Sequence, residues 1–284
     1  MLAAMCRFVA YLGEPITLDS LLLRPANSLV HQSFDAKEFR LRVNGDGFGV
    51  AWYVAGYEGS PVRVRTVTPA WNNQNLRSLA PAMRSDCILA HVRAASPGLP
   101  VVETNCHPFM HERFAFCHNG GIGDFARARR ALLRDLPDAI YDGIEGTTDS
   151  ELLFAIFLDE WEGRREGDPG DAMAAALVAT IKRTVAVAKG EPSYLNLCVT
   201  DGERVACTRY SNDPTGAMAT LYYHEGRRYV CEGDSCHMVD PGSGATTAIV
   251  ASEPLSEDAG WEAVPANHVG LIREDRTASA WAIE

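Results

Sequence analysis

The chain has 284 residues, enough to bury a sizeable core as one large domain or two small ones. Its composition, 46% apolar and 22% charged, is that of a globular protein, and no apolar run approaches the roughly 18 residues that span a bilayer. With 26 Lys and Arg against 37 Asp and Glu, the net charge of −11 argues against non-specific attraction to nucleic-acid phosphates.

The N-terminal MLAAM lacks the basic segment of a secretory signal, and the apolar stretch after it is broken by Arg7 and ends at Gly13-Glu14-Pro15. The eight cysteines form no dense framework, so a cytoplasmic protein with reduced thiols is expected. Early strand-like runs cover 6–12, 47–54, 62–67, 87–92 and 114–118. A helix begins near Asp124, aligns Phe125, Ala128, Leu132 and Leu136 on one face and stops at Pro137; its basic RARRALLR run reads as a solvated face. A second helix opens at TTDSELLFAIFLDEW, with Thr148 and Glu151 as a capping box and Leu152, Leu153, Ile156, Phe157 and Trp161 as an apolar stripe. A third runs over about 171–189, with Met173, Leu177, Ile181 and Val185 in register and Gly190 as its stop.

Late strands are expected at 195–200, 204–210, 221–224, 247–251 and 269–273, the first two joined by a turn at Asp201-Gly202. EGRREGDPGD and CEGDSCHMVDPGSG read as polar loops. Without repeats or a long linker, the simplest architecture is a single α+β domain: two layers of mostly antiparallel strand flanked by helices.

Four segments carry chemistry. Cys6 follows a second methionine. If it became N-terminal, its α-amine, with a pKa of about 7.7 to 8.0, could take the proton of a thiol whose pKa is about 8.5. Taken alone, Cys6 reads first as an ordinary buried residue of a strand. AHVRAASPG ends a strand at Arg93 and Ser96, a fork and a hydroxyl that suit a carboxylate or, more blandly, a surface ion pair. FAFCHNGGIGDF leads into Asn119 and Gly120, where an amide and an open backbone could stabilise an oxyanion or merely form a turn. Asp149 in GTTDSE suits a helix N-terminus in any case, and could also hold an ammonium group. Jointly these residues describe one ligand, an amino acid with an acyl group in its side chain.

The order of MCRF, DGFGVAWY, HVRAASPG, NCHPF, HNG and TTDSE resembles that of the class II glutamine amidotransferases, over most of the chain. The resemblance implies the N-terminal-nucleophile fold, a four-layer αββα sandwich of two antiparallel sheets. It implies Cys6 as nucleophile, its freed α-amine as base, and Asn119 with Gly120 as oxyanion hole. Arg93, Ser96 and Asp149 would grip a small-molecule γ-glutamyl substrate, with His107 near the pocket. The reaction would proceed through a γ-glutamyl thioester with no metal or other cofactor, and without a nucleic-acid or membrane partner.

The fold is expected to need the residues after Asp149, so residues 6–284 are expected to form a single domain similar to the stand-alone subgroup of the ergothioneine-pathway amidohydrolase and the glutathione-breakdown amidotransferase subunit. A separate partner subunit that consumes ammonia is left open. Either Met5 is the true start and is itself trimmed off, which is the favoured expectation because MLAAM shows no processing signature, or residues 1–5 are a removable pro-segment, because an acylated Cys6 nitrogen cannot accept a proton. A metal protein using Cys106, His107, His111, Cys117, His118, Cys231, Cys236 and His237 is the main rival, although no paired zinc spacing is present. A non-catalytic copy of the fold is the other; stoichiometric metal would favour the first and absence of glutamine turnover the second.

Overall fold

The computed structural model describes residues 6–38, 43–57, 60–96, 98–233, 235–241 and 246–284. The expected start or pro-segment at residues 1–5 and Pro97 of the HVRAASPG motif lie outside them, as do Asp234 and residues 242–244 of the CEGDSCHMVDPGSG segment.

In the first half, strands β1 (Arg7–Thr17), β2 (Phe48–Trp52), β3 (Val62–Thr66), β4 (Arg84–Val92), β5 (Phe109–His111) and β6 (Phe114–Gly121) alternate with short helices α1 (Leu18–Leu22), α2 (Leu29–Gln32) and α3 (Gln74–Leu79). A helical block follows: α4 (Phe125–Arg134), α5 (Asp138–Tyr141), α6 (Asp149–Glu162) and α7 (Pro169–Ala188). The chain closes with β7 (Tyr194–Thr200), β8 (Val205–Arg209), β9 (Tyr222–Gly226), β10 (Arg228–Glu232), β11 (Ser235–Val239), β12 (Thr247–Ala251), β13 (Glu262–Ala263), β14 (His268–Ile272) and β15 (Ala278–Ala282).

A seven-stranded sheet runs β13-β9-β12-β1-β4-β2-β3, a six-stranded one β15-β14-β8-β7-β6-β5, and every pairing is antiparallel. Strand alternation explains the layers. In β1, Phe8, Ala10 and Leu12 join the core between the sheets, while Val9 and Tyr11 join the core under α1 and α2. In β6, Ala115 and Cys117 face the other sheet, while Phe114 and Phe116 meet α6 and α7. Strands buried on both faces read as continuous apolar runs, which is why these runs show little polar alternation. The result is the expected αββα sandwich, with Phe48 and Trp52 in its core.

Several expectations need correction. CEGDSCHMVDPGSG is not simply a polar loop: β10 and β11 form a hairpin across it, placing Tyr229, Cys236 and Met238 in the outer core of the first sheet. Cys231 and Cys236, directly paired in that hairpin, form a disulfide, so the expectation of reduced thiols fails there and neither sulfur is free as a soft metal ligand. The capping box is half formed. Thr148 Oγ1 accepts the Glu151 N–H at 3.2 Å, but the Glu151 carboxylate accepts from the amides of Glu145 and Gly146 instead of reaching back. Helix α7 starts at Pro169, inside the expected EGRREGDPGD loop, because Asp168 caps it and proline suits the first turn.

Candidate active site

The start of β1 and the end of β4 are neighbours, since Arg7 pairs with Val92 across the antiparallel ladder. The alternation that sends Phe8 between the sheets also turns Cys6 to that side, and the same parity on β4 and β6 applies to Arg93 and Asn119. Residues more than a hundred positions apart thus share one end of the intersheet space.

Cys6 is half-buried, and its sulfur touches the loop leaving β4: the Ala94 N–H lies 3.4 Å from Sγ, and the thiol faces the Ala94 carbonyl at 3.5 Å. Burial pushes the thiol up to about 11. The Ala94 hydrogen bond and the positive charges of Arg93 and Arg7 oppose that rise, and Asp149 adds to it. The thiol is therefore neutral near pH 7 and needs a base to become a nucleophile.

Arg93 is 3% exposed, and its Nη2 donates to the Pro100 carbonyl at 3.3 Å. Its buried Nη1 finds no oxygen or nitrogen acceptor among the described residues, so one arm of a charged fork remains open. Ser96 is half-buried on the same loop, where its carbonyl accepts from Leu99.

Asn119 is buried near the end of β6, and its Oδ1 has no donor among the described residues. At the next position, φ is +148° and a Cβ would lie 1.8 Å from the Tyr194 carbonyl oxygen; only glycine fits. Asp149 is the first residue of α6, after the Thr148 cap. Its Oδ2 accepts the Ile122 N–H at 3.0 Å and Oδ1 the Ser150 N–H at 2.9 Å, which ties the helix to the end of β6.

His107 stands apart from this group. Its ring stacks on His91 with centroids 4.0 Å apart and meets Phe109 edge-on at 4.6 Å. Neither nitrogen has a hydrogen-bond partner among the described residues, and burial holds the ring well below the usual histidine range. Its electrostatic link to the site runs through Arg93. His118 instead faces α6: Nε2 donates to the Tyr194 carbonyl at 3.0 Å, so Nδ1 of the neutral ring accepts from Ser150 Oγ at 2.9 Å.

The supporting residues were missed in sequence. Asp46 Oδ2 accepts from Ala95 at 2.8 Å, and Asn105 Oδ1 accepts from Thr147 at 2.9 Å while Nδ2 donates to Pro100 at 3.1 Å. Both sit inside the DGFG and NCHPF motifs, whose polar residues beside strands were the available signal. Among the described residues no group of three or more His, Cys, Asp or Glu could hold a metal ion, and no helix is long and apolar enough to cross a membrane.

Comparison with known proteins bears on the family and the fold. The family model for class II glutamine amidotransferases matches residues 20–281. A probable glutamine amidotransferase of Saccharomyces cerevisiae, DUG3, is 40% identical over 95% of this chain and 82% of its own length. The gamma-glutamyl-hercynylcysteine sulfoxide hydrolase of Mycolicibacterium smegmatis is 28% identical over 95% of this chain and 96% of its own. The solved structure of a glutamine aminotransferase class-II domain protein from Silicibacter pomeroyi superposes with a TM-score of 0.65 at 27% identity, covering 98% of this chain and 99% of that one. The chain is an enzyme that belongs to the class II glutamine amidotransferase family.

Proposed function

We propose that the enzyme hydrolyses a γ-glutamyl amide, glutamine or a related γ-glutamyl compound, with Cys6 as an N-terminal nucleophile once residues 1–5 are absent. What supports this reading is that Arg93 and Asp149, of opposite charge, both act on the Cys6 thiol, which suits a carboxylate grip and an ammonium grip beside one nucleophile. The open Nη1 of Arg93 takes the α-carboxylate, with Ser96 beside it, and Asp149 takes the α-ammonium. His107, stacked on His91, stays a neutral ring at the edge of this group.

With the thiol held neutral by burial, the α-amine of Cys6 takes its proton as sulfur bonds to the side-chain carbonyl carbon. The carbonyl π pair moves to oxygen, where the Asn119 amide and the Gly120 N–H stabilise it. Collapse breaks the C–N bond, and the α-ammonium protonates the leaving amine. Water then cleaves the γ-glutamyl thioester to glutamate and restores the thiol. The hydrolase among the relatives supports a γ-glutamyl amide as substrate.

Protein beginning at Cys6 should release glutamate from glutamine or another γ-glutamyl amide and form a thioester visible by mass spectrometry, and Cys6→Ala should do neither. Equal turnover by a chain that demonstrably retains all five preceding residues would overturn the assigned base.

A further inference from the structure

Arg7 is a charged residue within the inner strand of a sheet and is only 1% exposed. Its Nε donates to Glu253 Oε1 at 2.7 Å, and its Nη1 donates to the carbonyl of Cys6 at 3.0 Å. Glu253, fully buried just beyond β12, also accepts the backbone N–H groups of Lys37 at 2.9 Å and Glu38 at 3.2 Å. Ser252 beside it is laced to β1: its Oγ accepts from the Phe8 N–H at 3.0 Å, and its own N–H donates to the Phe8 carbonyl at 3.0 Å.

A buried ion pair is weak support for stability, because desolvating both charges offsets much of their attraction. What this pair does supply is geometry and charge. Nε and Nη1 of one planar guanidinium address the anchoring carboxylate and the Cys6 carbonyl, so the peptide plane carrying the nucleophile is fixed relative to β12. The pair also couples the 37–38 segment to that plane.

We propose that Arg7 and Glu253 are positioning residues for the nucleophile: Arg7 fixes the Cys6 carbonyl and sets a positive charge beside its sulfur and α-nitrogen, and Glu253 locks and balances that charge. The inference rests on the reading of Cys6 as nucleophile. The other charges that reach the thiol are Arg93 from the end of β4 and Asp149 from α6, and the neighbouring thiol of Cys117 on β6 is kept neutral by burial.

The test uses the full chain beginning at Cys6, with Glu253→Gln, Arg7→Lys and Arg7→Met variants, and measures the pH dependence of Cys6 alkylation by iodoacetamide, located by mass spectrometry. Glu253→Gln removes a negative charge from beside Arg7 and should lower the apparent thiol pKa by about one unit; Arg7→Met removes the positive charge beside Cys6 and should raise it by about as much. Arg7→Lys should stay close to the parent. A merely structural role would hydrate the thiol in every variant and move all profiles downward. That common direction, or no shift in Glu253→Gln, overturns the proposal.

If Arg7→Met does not fold, the isosteric Glu253→Gln and the conservative Arg7→Lys still decide it. Where glutamate release is measured, kcat of Glu253→Gln should fall about tenfold or more with KM changed less than about threefold. Loss of turnover in the parent itself, with the alkylation shifts intact, would count against the amidohydrolase reading and leave the clamp standing.

Discussion

Asp46 holds the Arg93 loop at the two successive peptides that flank Ala94: its Oδ2 accepts the Ala95 N–H at 2.8 Å, and its own N–H donates to the Arg93 carbonyl at 2.9 Å. A carboxylate bonded to a buried amide contributes about 1.5 to 3 kcal/mol. Asp46→Ala should therefore raise KM for a γ-glutamyl amide about tenfold or more, since the fork would lose its orientation. Asp46→Asn, which keeps an acceptor, should stay within about threefold of the parent. Steady-state kinetics on both variants check this.

Arg93 presents one buried donor arm without an oxygen or nitrogen acceptor among the described residues. Lysine keeps the charge but not the planar fork, so Arg93→Lys should raise KM by about 10- to 100-fold with a smaller change in kcat. A fall in kcat with KM unaltered would place Arg93 outside the carboxylate grip.

The two glycines that end β6 should behave oppositely. At Gly120 a Cβ would sit 1.8 Å from a backbone oxygen, whereas at Gly121 the nearest atom is Asp149 Oδ2 at 3.5 Å. Gly120→Ala should destabilise the protein by about 3 kcal/mol or more and abolish turnover, while Gly121→Ala should cost less than about 1 kcal/mol. Urea unfolding of the two variants gives the comparison.

Stability should depend on the buried histidines below neutral pH. Burial pushes His91 down to about 3, against the hydrogen bond to the His118 carbonyl that raises it, and His107 and His118 are also lowered. An unfolded histidine titrates near 6.5, so between about 3 and 6.5 the unfolded chain binds more protons than the folded one. The contribution is complete above about pH 6.5 and declines as pH falls toward 3. Urea unfolding from pH 7.5 to 4.5 should show this decline, and His91→Gln should make the slope shallower.

The Cys231–Cys236 disulfide closes a short hairpin on the outer side of the first sheet, away from the intersheet site. For so short a loop the chain-entropy contribution is about 2 kcal/mol. Reduction with dithiothreitol should lower unfolding stability by that amount or less while glutamate release persists. Complete loss of folding on reduction would show that the hairpin depends on its disulfide far more than its packing suggests.

Legibility in the sequence followed the kind of interaction involved. Helices α4, α6 and α7 were readable because apolar spacing and local caps state a helix within one segment, and the strand at Thr247–Ala251 coincided with its apolar run. The β10–β11 hairpin was not: charged residues and Gly233 masked an alternation that matters only against the Val9 and Tyr11 face of β1. Short helices such as Leu18–Leu22 and Leu29–Gln32 carry too few turns for a periodic signal, and packing on the first sheet holds them. Arg7 was noticed only as an interruption of an apolar run, yet a charge within an inner strand calls for a buried partner; the sequence could not say that it is Glu253, 246 positions away.

By itself the amino-acid order determined the inventory of groups: a thiol after a methionine, a guanidinium and an amide at strand ends, a carboxylate at a helix start, each flagged by local pattern. Which of them share one space was decided by strand parity and sheet pairing, which turn Cys6, Arg93 and Asn119 to the same side and bring Asp149 to the end of β6. The same long-range packing set Glu253 against Arg7 and left the His107 ring on His91, at the edge of the site. Such choices depend on contacts between distant segments, and the energy of those contacts is not encoded in any one stretch of chain.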